Sequence, residues 1–158
     1  MHEHGKIKIL IVDDADSVRN ILKYILKLIG FEAFLEASNG EDALNMLQST
    51  KVDLVIADWK MPKLNGIELL EKVRDDDKLK SLPFIMVTGD SDKSHVLKAL
   101  QGGVSDYVLK PVDSSLLQRK VLKLVAHMAL IPTDPDSTPE RESPSQSEEV
   151  IPSPTIPA

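Results

Sequence analysis

The stretch KILIVDD, residues 8–14, and its counterpart LVIAD, residues 54–58, decide the fold, because each is a short aliphatic run that stops on an acid. Such runs suit strands of a parallel sheet that is covered on both faces. Outward from them the chain alternates between short apolar runs and longer segments with helical spacing. The pattern predicts strands over 8–12, 33–36, 54–57, 84–87 and 107–109. Helices are expected over 17–28, 40–49, 66–74 and 93–101, with a fifth capped by Asp113. In the first, Val18, Ile21, Leu22, Ile25 and Leu28 mark the expected buried face, and Gly30 suits the residue just past its end. The fold class is α/β: a (βα)5 open parallel sheet with helices on both faces. In such sheets ligands bind at the carboxyl ends of the strands.

Bulk properties narrow the function. The chain has 158 residues, 42% hydrophobic and 28% charged, with net charge −6. That charge is uneven: residues 132–158 hold six acids and one base, so the body is close to neutral. Nothing offers the dense cationic face of a nucleic-acid binder. Without cysteine there is no disulfide framework, zinc thiolate or thiol nucleophile, which fits a cytoplasmic setting. No apolar run approaches the roughly 20 residues of a membrane span, so no membrane insertion is expected. Seven of the ten prolines fall after Ile131, among Ser, Thr and Glu. The expected division is therefore a globular domain over 6–129 and a disordered acidic tail over 130–158.

The chemistry sits where strands end. Strand one runs into Asp13 and Asp14, and strand three into Asp58. If the two strands are neighbours, three carboxylates converge. Two carboxylates about 4 Å apart repel by roughly 4 kcal/mol at an effective dielectric near 20. A hard divalent cation relieves that, and Mg²⁺ suits a few carboxylates completed by water and phosphate. Strand four ends at Thr88, a hydroxyl donor, followed by Gly89, which leaves room for close backbone approach. Strand five ends at Lys110, a cation on a long stem. Each residue alone has an ordinary structural explanation, such as helix capping for the acids or solvation for the lysine. Together they place an acceptor, a metal cage, a hydroxyl and a cation on one rim.

Over about 6–128 the chain resembles the receiver domain of two-component response regulators. The resemblance rests on LIVDDADS, on DWKMPKLNG from Asp58 to Gly66, on IMVTGD and on YVLKP from Tyr107 to Pro111. DWKMPKLNG looks most like the chemotaxis branch. The resemblance implies the flavodoxin-like strand order 2-1-3-4-5 and a cis Lys110–Pro111 peptide. It makes Asp58 the phosphoacceptor for a sensor histidine kinase or histidine phosphotransfer protein. Asp13, Asp14, Asp58 and the backbone carbonyl of Lys60 become the Mg²⁺ ligands. Lys110, Thr88 and Gly89 hold the phosphoryl group, and Thr88 and Tyr107 form the switch. The output, on a downstream target protein, would pass through residues 93–129 of a stand-alone, monomeric regulator. Lys60 and Asp90, each two positions beyond a site residue, are expected to pair across the acyl phosphate and lengthen its life. Trp59 offers a fluorescent report of metal binding, and His2 and His4 belong to an expectedly mobile N-terminus.

Two other functions compete. A haloacid-dehalogenase-type phosphatase would use Asp14, since DADSV at residues 14–18 fits its D-x-D-x-[TV] pattern. It needs a further acidic motif after the lysine strand and leaves the Asp58 loop unexplained. A non-phosphorylated binding module acting through the tail has no need of clustered carboxylates.

Overall fold

The computed structural model describes residues 2–130; of the expected tail over 130–158, residues 131–158 lie outside the described residues, and residue 130 ends a helix. Five parallel strands, β1 (Lys8–Val12), β2 (Ala33–Ala37), β3 (Leu54–Ala57), β4 (Phe84–Thr88) and β5 (Asp106–Leu109), form one sheet in the order β2-β1-β3-β4-β5. This is the expected flavodoxin-like arrangement. Helices α1 (Asp16–Lys27), α2 (Gly40–Ser49), α3 (Gly66–Asp75), α4 (Lys93–Gln101) and α5 (Ser114–Leu130) link or follow the strands. One compact unit runs to Val121 and holds the sheet and every site residue below; a second begins at Leu122, within α5. Among the described residues, no helix is long and apolar enough to cross a membrane.

Strand alternation divides the core. Leu10, Val12, Val55, Ala57, Phe84 and Met86 share a cluster with Ala43 and Leu47 of α2, Ile67, Leu69, Leu70 and Val73 of α3, and Ala99 of α4. The alternate set, Ile9, Ile11, Leu54, Ile56, Ile85 and Val87, is equally buried. On that side α1 supplies Leu22, Ile25 and Leu26, and α5 supplies Leu117 and Val121; the two helices are tied by Gln118 Nε2 donating to the Ile25 carbonyl at 2.9 Å. β1, β3 and β4 are central and read as continuous aliphatic runs for this reason.

Polar side chains set the helix starts. Asn39 caps α2 by accepting from the Asp42 amide at 2.8 Å. Asn65 and Glu68 form a reciprocal capping box on α3. Asp113 accepts from the Leu116 amide at 3.0 Å, as expected for α5. Gly30, with φ 100°, takes up the left-handed conformation past α1.

Two expectations need correction. On α1 the buried stripe is Leu22, Ile25 and Leu26, whereas Ile21 and Leu28 are 53% and 60% exposed. The apolar arc is wider than the face the sheet covers, and periodicity fixes its width better than its phase. The N-terminus is also anchored rather than mobile. Residues His2–Lys6 form a 3-10 turn, and the His4 ring stacks on buried Phe31 at 4.8 Å and 9°. Its Nδ1 lies 3.3 Å from the Ile29 carbonyl.

Candidate functional site at the acidic rim of the sheet

Register brings the strand ends together. Val12 pairs with Ala57, so Asp13 and Asp58 step off adjacent strands side by side; the Asp58 amide donates to the Val12 carbonyl at 3.0 Å. Thr88 pairs with Leu109, and the Lys110 amide donates to the Thr88 carbonyl at 2.9 Å. Carboxylate oxygens of Asp13, Asp14 and Asp58 all lie within 4.8 Å of one another. Asp13 and Asp58 are buried and Asp14 is exposed.

The Lys110 ammonium bridges the buried pair, 2.9 Å from Asp13 Oδ2 and 3.0 Å from Asp58 Oδ2. Burial alone would lower its pKa, but the hydrogen bonds to Asp13 and Asp58 outweigh that and raise it. The other oxygens are held by backbone: Asp13 Oδ1 accepts from the Ala15 amide at 2.9 Å, and Asp58 Oδ1 from the Trp59 amide at 2.7 Å. Three carboxylates against one ammonium leave two negative charges. An all-oxygen donor set with that residual charge fits a hard divalent cation such as Mg²⁺.

The loop after Asp58 turns back sharply on itself. The Gly66 amide donates to the Trp59 carbonyl at 2.7 Å, and a Cβ on Gly66 would lie 2.1 Å from the Asp58 carbonyl oxygen. No side chain fits there. Lys60 lines two hollows, one with Asp14, Trp59 and Met61, the other with Asp58, Thr88, Gly89 and Asp90. Thr88 is 2% exposed, and its Oγ1 accepts from the Asp90 amide at 3.3 Å. Gly89 lines that hollow, and a Cβ added to it would meet no atom within 4 Å. The Lys110–Pro111 peptide is cis.

Tyr107 packs against the core cluster and its hydroxyl donates to the Asp90 carbonyl at 2.6 Å. Burial first, then the charges of Asp90 and Asp58, pushes its phenol up to about 12. Asp90 itself is engaged on both oxygens: Oδ1 accepts from the Asp92 amide at 3.0 Å, and Oδ2 lies 2.6 Å from His95 Nδ1. The Asp92 amide, then His95 and the charge of Lys60, hold the Asp90 carboxyl below its ordinary range. Lys60 and Asp90 thus share a hollow, yet among the described residues no ion pair joins them.

Sequence reasoning missed two residues here. His95, in the first turn of α4, holds Asp90 and lies 5.0 Å from the Trp59 ring. Arg19 reaches from α1 to the Asp13 carbonyl at 2.5 Å, while also binding Asp16 and Glu36. Their only sequence signal is a position within a turn or two of a strand end, which many surface residues share.

The comparisons agree with this geometry. The family model for the response regulator receiver domain matches residues 9–122. The chain is 43% identical over 118 residues to the chemotaxis protein CheY of Pseudomonas aeruginosa, covering 75% of this chain and 95% of that protein. It is 41% identical over 118 residues to CheY-3 of Vibrio cholerae, covering 75% and 91%. Among solved structures, the receiver domain of a signal transduction histidine kinase from Syntrophus aciditrophicus aligns with TM-score 0.73 and 30% identity, over 80% of this chain and 96% of that one. A response regulator receiver protein from Pseudomonas putida aligns with TM-score 0.69 and 32% identity, over 74% and 96%. With its sheet order, its acidic rim and these matches in agreement, the chain belongs to the response regulator receiver domain family.

Proposed function

We propose that this protein is a phosphorylation switch in which Asp58 accepts a phosphoryl group from phosphohistidine on a sensor histidine kinase or a histidine phosphotransfer protein. The observation that carries this reading is the Lys110 ammonium seated between Asp13 and Asp58 beside Asp14. Asp13, Asp14, Asp58 and the backbone carbonyl of Lys60 would hold Mg²⁺. When bound, the metal neutralises charge on the transferring phosphoryl oxygens. Asp58 forms the new bond to phosphorus as the bond to the donor imidazole breaks and its electron pair returns to the ring. Lys110, the Thr88 hydroxyl and the Gly89 amide take the other oxygens, so the protein positions and neutralises.

The new charge then biases a two-state surface. Thr88 moves to the phosphoryl group and Tyr107 follows, altering the face formed by α4, β5 and α5, residues 93–129. A downstream target protein reads that face, with chemotaxis favoured by the names of the two curated relatives. Lys60 and Asp90 set the lifetime of the modification. Residues 6–129 act as the receiver and 130–158 as an acidic linker, in a cytoplasmic monomer that is a signalling protein with self-phosphorylating and self-dephosphorylating activity rather than an enzyme.

The test is incubation with a small phosphodonor, with and without Mg²⁺, followed by mass analysis. One label on Asp58, dependent on Mg²⁺ and absent in Asp58→Asn, is expected. Labelling of Asp14 with turnover of many esters would instead favour the phosphatase reading. A pull-down comparing the beryllofluoride-treated protein with Asp58→Asn identifies the target.

A further inference from the structure

Among the described residues, His95 is the one imidazole joined to the rim, and its partner is a residue that faces the acceptor. Asp90 lines the same hollow as Asp58 and Lys60, and its side chain is 8% exposed where that of His95 is 44% exposed. With Oδ1 on the Asp92 amide and Oδ2 2.6 Å from His95 Nδ1, the carboxylate is turned toward α4. The Lys60 ammonium acts on the same carboxylate through charge and makes no hydrogen bond with it. An imidazole and an ammonium therefore contend for one anion, and the structure records His95 holding it.

We propose that His95 is a positioning residue that competes with Lys60 for Asp90 and thereby shortens the life of the phosphoryl group on Asp58. The inference rests on the phosphorylation reading above. In hydrolysis, water oxygen bonds to phosphorus and the bond from phosphorus to the Asp58 oxygen breaks. The electron pair returns to the carboxylate, and one water proton passes to solvent as hydrogen phosphate leaves. A Lys60–Asp90 pair spanning the hollow obstructs the water that begins this step. While His95 holds Asp90, the pair cannot form and water enters.

The surroundings of the contact carry both signs of charge. Asp92, whose carbonyl accepts from the His95 amide at 3.0 Å, and Asp90 are the acids of the β4–α4 loop. Trp59 of the acceptor loop lies 5.0 Å from the imidazole, the Tyr107 phenol donates to the Asp90 carbonyl, and Lys93 and Lys98 share α4 with His95.

The experiment follows label decay in His95→Ala and His95→Gln. Both should slow decay by about two- to fivefold, the range that a solvent-accessible ion pair is worth. Lys60→Ala removes the competing ammonium and keeps the backbone carbonyl, so in that background deleting His95 should leave decay unchanged. Unchanged decay in both His95 variants, or an equal effect in the Lys60→Ala background, overturns the proposal. Should no label form, the phosphorylation reading fails and with it the lifetime claim. The contact itself is then judged in unlabelled protein by imidazole NMR: the His95 ring resonances should move in Asp90→Asn, and unmoved resonances overturn it.

Discussion

Asp58 Oδ2 lies 3.0 Å from the Lys110 ammonium, although 52 residues separate them in the chain. Parallel register makes that contact, by ending β3 and β5 on the same rim with β4 between them. It also makes Lys110 the counter-charge of the unmodified site. In Lys110→Ala the Asp13 and Asp58 carboxylates face each other uncompensated. The expected loss of stability lies between the ~1 kcal/mol of an exposed pair and the ~3–5 kcal/mol of breaking a buried one. Saturating Mg²⁺ should narrow the gap between variant and native protein in urea unfolding. A gap that Mg²⁺ leaves untouched would mean that the carboxylates do not share a cation.

The residual charge predicts a change of sign at Asp14, the exposed member of the cluster. Without divalent metal, Asp14→Asn relieves repulsion and should raise the unfolding free energy by up to about 1 kcal/mol. With Mg²⁺ the order should reverse, because binding to the native state alone adds about 2.7 kcal/mol at a hundred times the dissociation constant, and the variant loses that share. Thermal unfolding in EDTA and in Mg²⁺ decides it. The same ranking in both buffers would refute the shared site.

Gly66 and Gly89 should respond very differently to one added methyl group. At Gly66 the Cβ would meet the Asp58 carbonyl oxygen at 2.1 Å and Trp59 Cα at 2.9 Å, all backbone that cannot swing aside. Gly66→Ala should cost about 1–3 kcal/mol, as overpacking does, and slow labelling of Asp58 by displacing its loop. At Gly89 the Cβ meets nothing within 4 Å. Gly89→Ala should stay within about 0.5 kcal/mol of native stability. Denaturant midpoints for the two variants provide the comparison.

The rim was legible in the sequence because strand ends announce themselves. An aliphatic run that stops on Asp13, Asp58, Thr88 or Lys110 fixes both the element and the edge, and parallel register does the rest. Helix phase was harder to read. Ile21, Leu22, Ile25, Leu26 and Leu28 span more than one face of α1, and only docking on the sheet selects Leu22, Ile25 and Leu26. Least legible were side chains that act across loops. His95 on Asp90, Arg19 on the Asp13 carbonyl and His4 on Phe31 join segments whose proximity follows from the folded chain and from no local pattern.

Tyr107 gives a pH prediction whose sign is fixed by its surroundings. Its phenol is pushed up to about 12 by burial and by the charges of Asp90 and Asp58, against about 10 in an unfolded chain. The folded state therefore favours the proton, a contribution that is whole below about pH 10 and lost as pH climbs toward 12. In a Tyr24→Phe protein, which leaves Tyr107 as the single tyrosine, the phenolate absorbance should arrive together with alkaline unfolding rather than ahead of it. Tyr107→Phe deletes the bond to the Asp90 carbonyl and should cost about 1 kcal/mol, the usual net worth of one hydrogen bond. Phenolate forming near pH 10 in protein that is still folded would show that the ring is not held against the core, and the hydroxyl could not then be a fixed partner of the β4–α4 loop.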